Sequence, residues 1–292
     1  MTHVVLIGGQ SRSGIALRRY IAAHTDFTLT VVVRRAIEPL ARETIAVVND
    51  YFSPPPELLL GADAIVNFVW VPQESSNYST TSVNAKGPPQ LGILAKSAGV
   101  KQFIQISSLN IYGHATRVGR TTAENPQSSD ARSKQAADHA LLALAGPHFV
   151  VSILRMPMHY GNNAGDRLLK LIAMMKKMRW FPVPFDDNRR SMVHVDNLAA
   201  GIIHLIRQRT NGIHLAADRE FFTLAELANV MTACGHSVRL VRLPRFMFLP
   251  MKWFASGIYR RLYQDSCIAP EDMVRLSPYP TTLRDGLRGI LE

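Results

Sequence analysis

The 292-residue chain has two cysteines, Cys234 and Cys267, too far apart for a metal-binding or redox motif. That excludes a disulfide-stapled scaffold and a thiolate metal centre, and it fits a reducing, cytoplasmic setting. No metal site is expected. No apolar run is long enough to span a bilayer. The first strand pattern begins at Val4, which leaves no space for a secretory leader before it. No internal repeat or flexible linker divides the chain. Although the net charge is +11, the basic residues are scattered and no nucleic-acid-binding module is present. The charge instead suits phosphorylated small ligands, an anionic membrane surface or plain solvated surface.

With 47% hydrophobic and 19% charged residues, the composition is globular and sufficient for a large core. The organising stretch is residues 4–20, V-V-L-I-G-G-Q-S-R-S-G-I-A-L-R-R-Y. Four apolar residues have the length and branching of a buried parallel strand. A glycine turn follows, and then Ile15, Leu17, Tyr20 and Ile21 recur at helical spacing. Strand, glycine turn and helix form a dinucleotide-binding unit, with phosphates on the helix N-terminus. Gly8 and Gly14 stand at the first and last positions of a G-x-x-G-x-x-G turn, and Ser11 holds the middle one.

Further strand patterns cover residues 27–33, 46–48, 62–69, 102–106, 149–154 and 213–216, alternating with helical ones. A long helical stretch runs to Ala98. Residues 193–206 read as a short strand and then a helix, and Thr223 caps another helix through Thr232. The expectation is an α/β fold: a Rossmann-type, doubly wound parallel sheet with a small C-terminal substrate-binding lobe. The nucleotide-binding domain is placed at 1–162 with a return segment near 192–215; the lobe takes 163–191 and 216–292. Residues 243–262 form a basic amphipathic segment. It suits core-facing helices of the lobe, a cover for a substrate pocket or a peripheral membrane contact.

Several stretches in order carry a family resemblance. They are the glycine turn, Asp50, Asp63-Ala-Ile-Val66, Asn84-Ala-Lys-Gly87 and the segment from Gly99 to Ile111-Tyr112-Gly113. Arg132-Ser-Lys134, Arg155 to Gly161, Arg190-Ser-Met-Val-His-Val-Asp196 and Thr282-Leu-Arg-Asp-Gly-Leu287 follow. Together they resemble the extended short-chain dehydrogenase/reductase superfamily, in its NAD(P)-dependent epimerase/dehydratase branch. The resemblance implies a cofactor cleft in which Asp50 and Tyr51 sit by the adenine and Val69 lines the wall. It also implies a homodimer built on paired helices.

The end of the second strand bears on cofactor choice. A carboxylate there would bind the ribose 2′-hydroxyl of NAD. Instead the chain reads Val33-Arg34-Arg35, with no carboxylate before Glu38. Guanidinium groups suit a 2′-phosphate, with Arg12 of the glycine turn adding to them, so NADP(H) is expected over NAD(H). A solvated strand end is the bland alternative for both arginines.

By resemblance, catalysis would use a serine, a tyrosine and a lysine four residues after the tyrosine. Ser108 and Lys134 match, but the tyrosine position is Asp130. A carboxylate cannot donate a proton at neutral pH as a phenol does, and its spacing from Lys134 suits an i to i+4 salt bridge. Ser128, Ser129, Tyr112, Tyr160 and His159 are candidate stand-ins. On the substrate side, Arg190 matches the family arginine that grips a nucleotide-sugar diphosphate. Met158 replaces an asparagine that helps hold it, and a thioether cannot supply those hydrogen bonds. His194-Val195-Asp196 is read as a structural tie. The leading expectation is an NADP-linked oxidoreductase, epimerase or dehydratase acting on a nucleotide-linked or related hydroxyl or keto compound. The alternative is a non-catalytic NADP(H)-binding sensor.

Overall fold

The structure, a computed structural model, describes residues 1–70, 80–161, 166–178, 180–186, 188–274 and 279–292. Its first unit is the strand β1 (His3–Ile7), the glycine turn and the helix α1 (Arg12–His24). Then come β2 (Thr28–Val33), β3 (Glu43–Val47), β4 (Ala64–Asn67), α2 (Thr80–Ser97) and β5 (Gln102–Ser108). The start of the helical stretch expected before Ala98, residues 71–79, lies outside the described residues.

The middle of the chain forms β6 (Arg117–Val118), α3 (Ser129–Leu142), β7 (Val150–Met156), β8 (Met158–Tyr160), α4 (Asp166–Met178) and β9 (Trp180–Pro184). After these stand β10 (Met192–His194), α5 (Val195–Gln208) and β11 (Gly212–Leu215). The remainder is α6 (Leu224–Ala233), β12 (Arg239–Leu243), α7 (Leu249–Phe254), α8 (Ser256–Tyr263), β13 (Cys267–Ile268) and α9 (Leu283–Leu291).

Seven strands form one parallel sheet in the order β11-β7-β5-β4-β1-β2-β3. The order reverses direction at β1 and β4, and in doubly wound folds the crevice outside the strand ends there takes the ligand. The central strands are apolar on both faces because helices cover both. Val4, Leu6, Val31 and Val33 pack with α1 and α5, while Val5, Ile7, Ile65 and Phe103 face α2 and α3.

The expected strand at 193 forms β10 but stays outside this sheet, pairing with β8. The smaller pairs β9–β12 and β6–β13 also lie outside this sheet. A further buried cluster gathers Leu168, Phe181, Leu227, Met231, Phe248 and Leu287. Asp218 ties β8, β10 and α5 together: it accepts from Tyr160 Oη (2.6 Å), the His194 backbone N–H (2.9 Å) and Asn197 Nδ2 (2.7 Å). His194 takes part through its backbone N–H, and Gly286 of α9 sits where a Cβ would meet His194 Cδ2 at 2.7 Å.

One ionic network fixes α3 against the sheet. Arg155 of β7 is 0% exposed and donates from Nε to Asp138 Oδ2 (2.9 Å). Its Nη1 lies 2.7 Å from Glu124 Oε1 and donates to Tyr112 Oη at 3.0 Å. Ser107 also donates to Asp138 Oδ2, at 2.9 Å. Burial pushes the Asp138 carboxyl up to about 6, against the pull of Arg155 and Ser107.

This shift makes the network's contribution to stability pH-dependent. The folded chain takes up a proton at Asp138 near pH 6, whereas the unfolded carboxyl waits until near 3.8. Stability from this group therefore rises as pH falls through 6 and levels off below the unfolded value. Relative to Asp138→Asn, which cannot take up that proton, the native chain should gain up to about 3 kcal/mol between about pH 7.5 and 4. Urea unfolding of both proteins at each pH measures the difference, and groups common to the two cancel.

Candidate functional site

The glycine turn is built by close approach. Gly8 has φ +82°, and a Cβ there would lie 2.7 Å from Val69 Cγ2. At Gly14 a Cβ would stand 2.7 Å from the Gly8 carbonyl oxygen and 2.9 Å from Gly9 Cα. Ser11, at the middle position, has an extended backbone (φ −66°, ψ 157°) that needs no glycine. Its hydroxyl caps α1, accepting from the Gly14 backbone N–H at 3.1 Å. The first turn of α1 carries no acidic residue, so its positive end faces the crevice unopposed. The chemistry of this turn, close backbone approach at a helix N-terminus, fits the phosphates of a dinucleotide.

Arg34 and Arg35 emerge exposed from β2. The Arg34 guanidinium carbon lies 5.5 Å from the centre of the Tyr51 ring, which places Tyr51 beside the end of β2. Gln10 donates to the Arg35 carbonyl at 2.9 Å and ties the glycine turn to the same strand end. Asp50 accepts from the Phe52 backbone N–H at 2.9 Å. Glu43, the acidic residue that opens β3, is consumed by Arg18 through contacts of 2.6 to 3.1 Å.

On the other side of the crevice, Val69 packs on Gly8 and the next residue, Trp70, spans to β5. Its indole N–H donates to the Ile106 carbonyl at 2.8 Å, and Lys134 Nζ lies 5.0 Å from the centre of its ring. Lys134 also pairs with Asp130 Oδ2 at 3.2 Å, one turn earlier on α3. Ser108 ends β5, and its Oγ accepts from the Asn110 backbone N–H at 3.2 Å. Gly8, Val69, Lys134, Asp130 and the strand bearing Ser108 are thus brought together around Trp70. The sequence reading passed over Trp70; the signal available was an aromatic residue directly after the strand that supplies Val69.

The stand-ins for the absent tyrosine are differently placed. The Tyr112 hydroxyl is held by buried Arg155. The Tyr160 hydroxyl donates to Asp218, and burial together with that carboxylate raises its phenol far above the ordinary range. Ser128 is spent capping α3, accepting from the Ala131 backbone N–H at 3.1 Å. Ser129 has a partner within the structure. His159 is held below the ordinary histidine value by burial and then by the nearby Arg12 guanidinium, so it is neutral at neutral pH.

Met158 opens β8, opposite Met192 of β10. Arg190 points away from a diphosphate role: its Nη1 donates to the carbonyls of Arg260 (3.1 Å) and Arg261 (2.7 Å) at the end of α8. Burial lowers its pKa.

Comparison with known proteins follows the same outline. Residues 4–216 match the family described as "Epimerase: NAD dependent epimerase/dehydratase family". The chain is 32% identical over 155 residues to a UDP-glucose 4-epimerase of Vibrio cholerae, covering 50% of this chain and 47% of that protein. It is 30% identical over 253 residues to a ceramide reductase of Caulobacter vibrioides, covering 82% of this chain and 73% of that protein. The chain spans about half the length of the Vibrio relative. The solved UDP-Glc/GlcNAc 4-epimerase of Campylobacter jejuni superposes with a TM-score of 0.75 over 100% of this chain and 99% of that one. At 16% identity, that likeness concerns the fold alone.

The turn's dependence on glycine is directly measurable. In Gly14→Ala the added methyl meets backbone atoms that cannot move as a side-chain tip can. The substitution is expected to cost about 1–3 kcal/mol, read as a lower urea midpoint with an unchanged slope.

Proposed function

Because the chain belongs to the NAD dependent epimerase/dehydratase family, we propose that it transfers hydride between a nicotinamide cofactor and a hydroxyl- or keto-bearing small molecule. The observation that carries this reading is the convergence of the glycine turn, Val69, the Ser108-bearing strand and Lys134 on one crevice. The bound cofactor would supply the hydride donor or acceptor. The glycine turn and the N-terminus of α1 would hold its phosphates, and Val69 would line its cleft. Ser108 Oγ would orient the substrate oxygen. With the tyrosine replaced by Asp130, the Lys134 ammonium is the proton-bearing group at that place. Asp130 and the Trp70 ring hold it in position, and it would donate the proton to the reduced oxygen.

The substrate side favours an apolar compound over a nucleotide-linked one. A diphosphate would need the Arg190 guanidinium, whose Nη1 serves the end of α8, and an amide where Met158 stands. The resemblance to a ceramide reductase over 82% of the chain points the same way.

NADP(H) is the preferred cofactor in this reading, supported by exposed Arg34 and Arg35 and by the engagement of Glu43 with Arg18. Calorimetric titration should give tighter binding of NADPH than NADH. The double substitution Arg34→Glu with Arg35→Glu should weaken NADPH by about 10- to 100-fold while sparing NADH. Tighter NADH binding by the native protein would overturn the cofactor assignment.

Turnover is read as NADPH oxidation with long-chain ketones and with keto sugar nucleotides. Lys134→Met should lower it at least ~100-fold. A second reading, a nucleotide-binding sensor, is favoured by the Asp130–Lys134 ion pair that engages the lysine. It would be supported if the native protein bound NADPH tightly without turnover while Asp130→Tyr turned over.

A further inference from the structure

The segment from β12 to the end of α8 has a one-sided chemistry. Residues 239–264 contain six basic side chains (Arg239, Arg242, Arg245, Lys252, Arg260 and Arg261) and no Asp or Glu. Phe248 and Tyr263 are buried in one apolar cluster, with Met251, Tyr259 and Leu262 packed against it, so α7 and α8 are docked by one side. The other side is apolar and bare. Trp253 is 82% exposed and Phe254 93%, and Phe246, Met247, Leu249 and Ile258 are each about half exposed or more. Leu249 and Trp253 stand one turn apart on α7 and share a face.

From this we propose that the α7–α8 face is a docking surface for an anionic lipid bilayer. Large aromatic and aliphatic side chains on short amphipathic helices sit at the depth where headgroups meet acyl chains, and Trp is favoured at that boundary. The cations would meet the lipid phosphates. One of them, Arg245, already pairs with exposed Asp186 at 3.1 Å, and Arg260 lies 3.0 Å from His114 Nε2.

A second copy of the chain is a poorer occupant. A two-fold interface apposes the same patch on both subunits, and a segment with six cations and no Asp or Glu of its own would set like charge against like. A single-stranded nucleic acid would use the aromatics as stacking platforms but would leave Leu249, Met247 and Ile258 without a role.

The proposal does not rest on the catalytic reading, since attachment is measured without substrate. The purified protein is floated with phosphatidylcholine vesicles, with and without about 30% phosphatidylglycerol. Binding at least ~10-fold stronger to the anionic vesicles, weakened by added salt, is expected. A Trp253→Ser, Phe254→Ser double variant should lose at least ~10-fold of that binding. Its thermal midpoint and NADPH titration should be unchanged, since neither residue is in the core or the cofactor crevice. Equal binding by variant and native protein, or no flotation with anionic vesicles, would overturn the proposal. So would a dimer in sedimentation velocity, or binding of a single-stranded oligonucleotide, abolished by the same double variant in a protein that does not float.

Discussion

A guanidinium placed wholly out of water calls for acceptors, and Arg155 finds them for Nε and Nη1 by drawing three elements onto β7. Asp138 comes from α3, Glu124 from the loop before it, and Tyr112 from the turn after β5. Removing one carboxylate would leave a buried charge under-compensated, which is far more costly than the pair is stabilising. The positions of α3 and of the end of β5 are therefore over-determined. Those two elements carry Lys134, Asp130 and Ser108. The network touches none of these three, yet it sets where they stand.

Different parts of the structure follow different logic. On the cofactor side the geometry is dictated by backbone approach: Gly8 against Val69, and Gly14 against the Gly8 carbonyl. Few sequences satisfy such contacts, so the glycines are demanded whatever the ligand's other end does. Elsewhere the groups at issue are side chains, which can be exchanged without disturbing the strands. Met158 stands in a parallel pair with Met192, and the Arg190 guanidinium donates to the carbonyls of α8, a favourable partner for a cation at the negative end of a helix.

That division explains what could be read from the sequence. The central strands were legible because helices bury both their faces, which forces uninterrupted apolar runs such as Val4 to Ile7 and Val31 to Val33. The glycine turn was legible because its spacing is tied to that frame. The strands β9 and β12 were not. β9 reads W-F-P-V-P and β12 R-L-V-R-L, five residues each, with prolines in the first and charges in the second. Their pairing comes from contacts about sixty residues apart, which no local periodicity encodes. Trp70 escaped for a related reason: its indole bond to Ile106 and its place beside Lys134 are tertiary facts.

The Asp130–Lys134 pair is where sequence and geometry bear most directly on chemistry. A phenol is a neutral proton donor at neutral pH and a carboxylate is not, while a carboxylate can form an i to i+4 ion pair with a lysine, as Asp130 does with Lys134. Trp70 adds a second contact, its ring centre 5.0 Å from the Lys134 ammonium. Lysine, aspartate and indole thus meet through the lysine, with the indole held separately by its bond to the Ile106 carbonyl.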